Sequence, residues 1–124
     1  MTKKILIVDD EQNIVISLEF LMKREGFEVL VANDGDEAVR CIRAEQPDLV
    51  LLDVMMPKKS GFEVCQEIKA DPKTQATCIL MLTAKGRDTE VAKGLALGAD
   101  AYMTKPFSTR ELVARVRSLL GMEA

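Results

Sequence analysis

Apolar residues along this chain follow two patterns. Five short runs are almost unbroken: Lys4–Val8, Glu28–Ala32, Leu49–Asp53, Cys78–Leu82 and Ala101–Met103. Runs of this length, rich in Val, Ile and Leu, read as strands of a buried parallel sheet. Between them apolar residues recur three and four apart: Ile14, Leu18 and Leu21; Ala38, Val39 and Ile42; Cys65 and Ile68; Val91 and Leu95; Leu112, Val113, Val116 and Leu119. That spacing places each set on one face of a helix.

The punctuation of the chain agrees. The first helix is predicted to enter from Asp9-Asp10-Glu11 and run to about Arg24, with Gly26 as the residue that closes it. Asn33-Asp34-Gly35 leads into the second, which stops before Pro47. Ser60-x-x-Glu63 and Ser108-x-x-Glu111 have the spacing of capping boxes and open the third and fifth helices. Asp71-Pro72 breaks the third; the fourth runs from about Asp88 to Gly98, with Gly94 as a weak point inside it. Strands alternating with helices of roughly ten to fifteen residues predict an α/β fold. The expected architecture is a three-layer (βα)5 doubly wound parallel sheet, flavodoxin-like, with right-handed crossovers that place helices on both faces; one sequence does not fix the strand order, and 2-1-3-4-5 is expected as a common solution for five strands. A chain of 124 residues, 48% hydrophobic, is expected to form one domain over residues 1–124.

Charge and composition then limit the partners. The net charge is −3 with the signs interspersed, so no basic stripe marks a nucleic-acid surface and none is expected. No apolar run approaches a membrane span, and the four aliphatic residues between Lys4 and Asp9 are too few for a signal peptide. A cytoplasmic protein without membrane contact is expected. Cys41, Cys65 and Cys78 are odd in number and fall inside predicted elements, so they read as small buried hydrophobes. The chain has no histidine, which removes every mechanism needing one of its own.

The C-terminal ends of strands carry ligands in open α/β sheets, and here those ends are unusual. Asp9 and Asp10 end the first strand, Asp53 the third and Thr83 the fourth, and Lys105 follows the fifth. Each residue has a plainer reading alone. Asp10 and Glu11 suit a helix N-terminus, Thr83 a turn, Lys105 a snorkelling surface amine, and Met55 and Met56 core filler. Together they make a different case, because packing alone does not demand three acids, a hydroxyl and an amine at one edge. Like charges that close must be neutralised, and an oxygen-only set with open positions suits Mg²⁺. Lys105 adds a point charge for a phosphoryl oxygen and Thr83 a donor, which leaves Asp53 as a nucleophile able to form an aspartyl phosphate.

Asp9-Asp10, Asp53 with Met55-Met56-Pro57, Thr83-Ala84 and Tyr102-Met103-Thr104-Lys105-Pro106-Phe107 resemble the receiver domain of two-component response regulators, from Lys3 to about Leu120. The resemblance implies a phosphorylation switch. A partner sensor histidine kinase, or a phosphotransfer protein, would donate the phosphoryl group to Asp53. Asp10, Asp53 and the carbonyl of Met55 would coordinate Mg²⁺, with Asp9 helping through water. Thr83 and Tyr102 would be the switch pair, although without that context Tyr102 reads as a half-buried edge-strand aromatic. The Lys105-Pro106 bond is expected to be cis. Met55 and Lys85, two positions after Asp53 and Thr83, are expected to flank the phosphoryl group and slow its loss. The family is not a conventional enzyme; it catalyses its own phosphotransfer and slow autodephosphorylation.

Lys58-Lys59-Ser60 departs from the Gly and acidic residue that many receivers carry in this loop, which bears on partner choice. The ending from Arg110 to Arg117 is similar to receivers that precede a winged-helix DNA-binding domain. The chain is then either a single-domain receiver or part of a longer regulator. Those relatives imply a phosphorylation-dependent homodimer through the fourth helix, fifth strand and fifth helix, with Lys93 facing Glu111 and Asp100 facing Arg115. Two other classes share the fold. A dehalogenase-type phosphatase would need Asp-x-Asp after the first strand, and a flavodoxin-like carrier would need Ser, Thr or Gly donors there in place of acids.

Overall fold

The structure is a computed structural model and describes residues 2–84 and 88–122. Its elements are β1 (Lys4–Val8), α1 (Gln12–Arg24), β2 (Glu28–Ala32), α2 (Gly35–Glu45), β3 (Leu49–Asp53), α3 (Gly61–Ala70), β4 (Cys78–Ala84), α4 (Asp88–Ala96), β5 (Ala101–Lys105) and α5 (Thr109–Leu119). All strand pairs are parallel, in the expected order β2-β1-β3-β4-β5.

Alternation along the strands sorts the core into two layers. Leu6, Val8, Val50, Leu52, Ile79 and Met81 face α2, α3 and the α4–β5 turn, packing on Ala38, Ile42, Val64, Ile68 and Ala99. Ile5, Ile7, Leu49, Leu51, Leu80 and Leu82 face the other way, onto Val15, Leu18, Met22, Leu112 and Val116 of α1 and α5. β3 is the central strand, and all five of its residues are buried, including Asp53 at its end.

The helix ends follow their sequence signals in most cases. Gly26 adopts φ +91° just past α1, a left-handed conformation that glycine supplies without a Cβ clash. Ser60 and Glu63 form the complete reciprocal capping box of α3. At α5 only half of the second box is present among the described residues: Ser108 Oγ accepts from the Glu111 backbone N–H at 3.0 Å, and no return bond runs from the Ser108 N–H to the Glu111 carboxylate. α1 begins one turn into its predicted entry. Its N-cap Glu11 makes no side-chain cap, and Asp9 Oδ1 accepts the Glu11 N–H at 2.9 Å instead.

Three further expectations are corrected. β4 and β5 each run two residues beyond their apolar stretch, because the ladder continues through Thr83 opposite Thr104 and Ala84 opposite Lys105. In α4 the residue turned to the sheet is Gly94, whose added Cβ would meet the Met81 sulfur, while Leu95 is 44% exposed. The glycine that weakens the helix on propensity is what lets it lie close to β4. Met55 is 63% exposed and is not core filler, since the chain turns out after Val54, which is itself buried. Met56 does pack against the core. Of the cysteines, Cys65 is buried and the other two are half-buried, all three as free thiols. Burial pushes Cys65 and Cys78 up to about 11, so both stay protonated.

Gly61 ties this scaffold to the end of β3. A Cβ there would meet the Asp53 carbonyl oxygen and the Val54 Cα, both of them backbone. Gly61→Ala should therefore lower stability by about 1–3 kcal/mol through overpacking. Urea unfolding would show this as a lower midpoint at unchanged slope. A midpoint equal to wild type would mean that β3 and α3 separate easily.

Candidate functional site

The predicted residues converge at the C-terminal edge of the sheet. Asp9 follows β1, Asp53 closes β3, Thr83 lies next to last in β4 and Lys105 ends β5. Because Asp53 pairs with Leu82 and Ala84 with Lys105, the parallel register brings the amine level with the acids. Lys105 Nζ lies 3.0 Å from Asp9 Oδ2 and 3.3 Å from Asp53 Oδ1, donating to both. Asp9 is fully buried and Asp53 is 7% exposed, whereas Asp10 is exposed at the mouth. Carboxylate oxygens of Asp9, Asp10 and Asp53 all lie within 4.8 Å of one another.

One amine cannot neutralise three carboxylates. Burial and the neighbouring Asp9 charge push Asp53 up to about 6, against the opposing pull of Lys105. Burial also works against the Lys105 charge, but its hydrogen bond to Asp9 and the charges of Asp53 and Asp9 outweigh that and raise its pKa. A site with an excess of oxygen ligands fits a hard divalent cation such as Mg²⁺. The clustered carboxylates are those of Asp9, Asp10 and Asp53, and Met55 stands two residues beyond Asp53.

The remaining expected residues take different positions. Thr83 is 1% exposed, and its Oγ1 has no hydrogen-bond partner among the described residues. Tyr102 is 40% exposed, and its carbonyl accepts from Arg115 Nη1 at 3.3 Å. The Lys105-Pro106 bond is cis. Lys85 lies outside the described residues. On the face assigned to a dimer, Tyr102, Glu111 and Arg115 line one cavity of about 230 Å³. Lys93 sits over the Phe62 ring, 4.6 Å from its centroid. Asp100 Oδ2 is occupied within the chain, accepting from Ile79 N at 2.8 Å and Lys69 Nζ at 3.0 Å.

Two features were not legible in the residue pattern. The lysines of the β3–α3 loop bind α2 and α3: Lys58 pairs with Asp34 at 3.6 Å, and Lys59 with Glu67 at 3.2 Å and Asp36 at 3.9 Å. Lys58 stands at φ +69°, a conformation that favours glycine. The signal available was the match of Asp34-Gly35-Asp36 with Lys58-Lys59, which are distant in sequence. The second is an apolar cavity of about 560 Å³ beside Lys105, lined by Ile14, Leu18, Pro106 and Phe107 among others.

The comparisons with known proteins agree with this geometry. A family model for the response regulator receiver domain matches residues 5–117. The chain belongs to the response regulator receiver family. A solved chain from Chloroflexus aurantiacus J-10-fl, assigned as a response regulator, is 36% identical, with TM-score 0.94 over 98% of this chain and 99% of its own. The receiver domain of a signal transduction histidine kinase from Syntrophus aciditrophicus is 31% identical, with TM-score 0.90 over 97% and 91%. The receiver domain of a sensor histidine kinase from Pseudomonas aeruginosa PAO1 is 27% identical, with TM-score 0.90 over 98% and 99%. That last structure holds a magnesium ion coordinated in its active-site cleft. Among the described residues of this receiver, no helix is long and apolar enough to cross a membrane.

The acid cluster makes a prediction for the metal-free receiver. Asp53 titrates at about 6 when folded against an ordinary 3.8, so the folded chain holds more protons between those values. Stability should therefore fall as pH rises from about 4 to about 6 and stay low above that. Asp53→Asn removes the charge and should stabilise the protein by about 2–3 kcal/mol at pH 7–8, with the gain vanishing near pH 4. Urea unfolding in chelator at the two pH values measures this. An equal gain at both would mean that Asp53 carries no electrostatic penalty.

Proposed function

We propose that this receiver is a phosphorylation-activated signalling switch that accepts a phosphoryl group on Asp53 from a phosphohistidine of a sensor histidine kinase or phosphotransfer protein. The supporting observation is the Lys105 ammonium shared between Asp9 and Asp53, beside an exposed Asp10. Asp53 Oδ forms the new O–P bond as the donor's N–P bond breaks, and the departing imidazole takes a proton from solvent. Lys105 leaves its contact with Asp53 for a phosphoryl oxygen, retaining Asp9, which keeps it oriented. Thr83 Oγ1, buried and without a partner among the described residues, donates to a second phosphoryl oxygen. Asp9, Asp10, Asp53 and the Met55 carbonyl would hold Mg²⁺. When bound, the ion supplies positive charge against the phosphoryl oxygens. The protein thus catalyses its own phosphotransfer and slow autodephosphorylation, and is not a conventional enzyme.

The output would pass through α4, β5 and α5, where Leu95 and Tyr102 are exposed. The likeness to receivers of winged-helix regulators rests on the Arg110–Arg117 segment and favours a homodimer through this face. Such a dimer gains little from Asp100 while that carboxylate is held by Ile79 N and Lys69.

Acetyl phosphate with Mg²⁺ should add one phosphoryl group to the wild-type chain, seen by intact mass. Chelator or Asp53→Asn should abolish the addition. Equal labelling of the variant would place the acceptor elsewhere.

The Met55 thioether, exposed two residues beyond Asp53, offers water only a weak acceptor. Met55→Asn offers an amide that orients an attacking water, and should speed loss of the phosphoryl group several-fold, on the order of 1 kcal/mol in the barrier. The decay of the phosphorylated form under saturating Mg²⁺ measures it. An unchanged rate would remove Met55 from control of the lifetime.

A further inference from the structure

A second concave surface lies on the outer side of α1 and α5, away from the opening over Asp53. It is a cavity of about 640 Å³, lined by Arg24 and Glu25 at the end of α1 and by Arg110, Val113, Ala114 and Arg117 of α5, with Thr109 at its upper end. Arg110 and Arg117 stand seven residues apart, about two helical turns or roughly 10 Å along the axis. Arg24 belongs to the other helix, so this grouping of three guanidiniums appears only in the fold. One turn before Arg24, Phe20 is 66% exposed with the Arg24 guanidinium 5.9 Å from its ring centroid. Among the described residues neither Arg24 nor Arg110 pairs with an acid. In a chain of net charge −3, the groove thus gathers Arg24 and Arg110 with one carboxylate, Glu25, in its lining.

The chemistry of the lining identifies the partner. Arginine's planar fork suits carboxylates and phosphates alike, but here the guanidiniums are separated by an aliphatic floor at Val113 and Ala114 and flanked by an aromatic ring. Arginine and aromatic residues around apolar ground are the composition of a protein interface core. A nucleic-acid backbone would meet the charges and leave the floor uncovered. An amphipathic helix carries apolar side chains between acids one and two turns apart, which matches both. We infer that the α1–α5 groove docks an acidic amphipathic helix of a partner protein, with its carboxylates on Arg24 and Arg110 and its apolar face on Val113 and Phe20. α1 places Arg24 roughly 18 Å from the helix start beside Asp9, so this contact leaves Asp53 open.

The test is fluorescence anisotropy at low salt. The probe is a labelled helical peptide with glutamates one and two turns apart and leucine and phenylalanine between them. Controls are the same peptide with glutamines for glutamates, and a single-stranded oligonucleotide. The acidic peptide should bind and weaken as salt rises. Arg24→Ala with Arg110→Ala should weaken it roughly tenfold, and the glutamine peptide should bind comparably weakly. The double variant should still be labelled by acetyl phosphate, which shows that it is folded. If it is not labelled, the wild-type comparison of glutamate and glutamine peptides decides alone. No binding, equal binding of the two peptides, equal binding by a labelled double variant, or tighter binding of the oligonucleotide would each overturn the inference.

Discussion

The arrangement depends on one ammonium held between two buried carboxylates. An ionised carboxylate out of water carries a penalty of several kcal/mol unless it is paired. Asp9 and Asp53 are both buried, and Lys105 Nζ, at 3.0 and 3.3 Å, is the cation that compensates them. For the amine to reach, β5 must stay in the sheet as far as Lys105, opposite Ala84 of β4. For the acids to meet it, β1 and β3 must end at one level, which Val8 opposite Leu52 ensures. The apolar layers on either side hold that register. The compensation is still incomplete, because Asp53 remains pushed up to about 6 by burial and by Asp9. The metal-free site is therefore a strained electrostatic arrangement carried by the stability of the sheet.

Most of the fold was legible because local and global signals coincide. β1, β2 and β3 end where their apolar runs end, and Ala38, Val39 and Ile42 of α2 are all buried as their spacing demands. The misreadings occur where polarity and structure part company. Thr83 and Lys105 look like loop residues because they are polar, yet they sit in paired strand positions and face the site. Leu95 looks like core and Gly94 like a defect, but close approach to Met81 requires the residue without a Cβ. The acid cluster was readable since its members sit at strand ends; the arginine groove was not, since it joins the end of α1 to α5 across most of the sequence.

The β3–α3 loop shows how a departure from the family pattern can be absorbed locally. Lys58 and Lys59 place two positive charges in the loop just after β3. They pair with Asp34, Asp36 and Glu67. Exposed pairs of this kind contribute only about 0.2–1 kcal/mol each. The closer constraint is steric, because a Cβ on Gly35 would meet Lys59 backbone and side chain alike. The loop is thus packed onto the N-terminus of α2, and the lysines follow that packing more than they direct it.

Thr83 bears directly on the proposed switch. Its hydroxyl is buried with no partner among the described residues, a condition that costs about 1–3 kcal/mol relative to a satisfied one. On the proposed function, a phosphoryl oxygen on Asp53 supplies the missing acceptor. That single bond is too small, since moving a two-state equilibrium from 1:99 to 99:1 takes about 5.5 kcal/mol. The remainder has to come from Lys105, whose contact with Asp53 must be exchanged for one with the phosphoryl group, and from repacking around α4. There a Cβ on Gly94 would meet the Met81 sulfur, so α4 lies close against β4. A helix packed that closely moves between discrete positions, which is the condition for a small gain at Thr83 to register as a change of state at the surface.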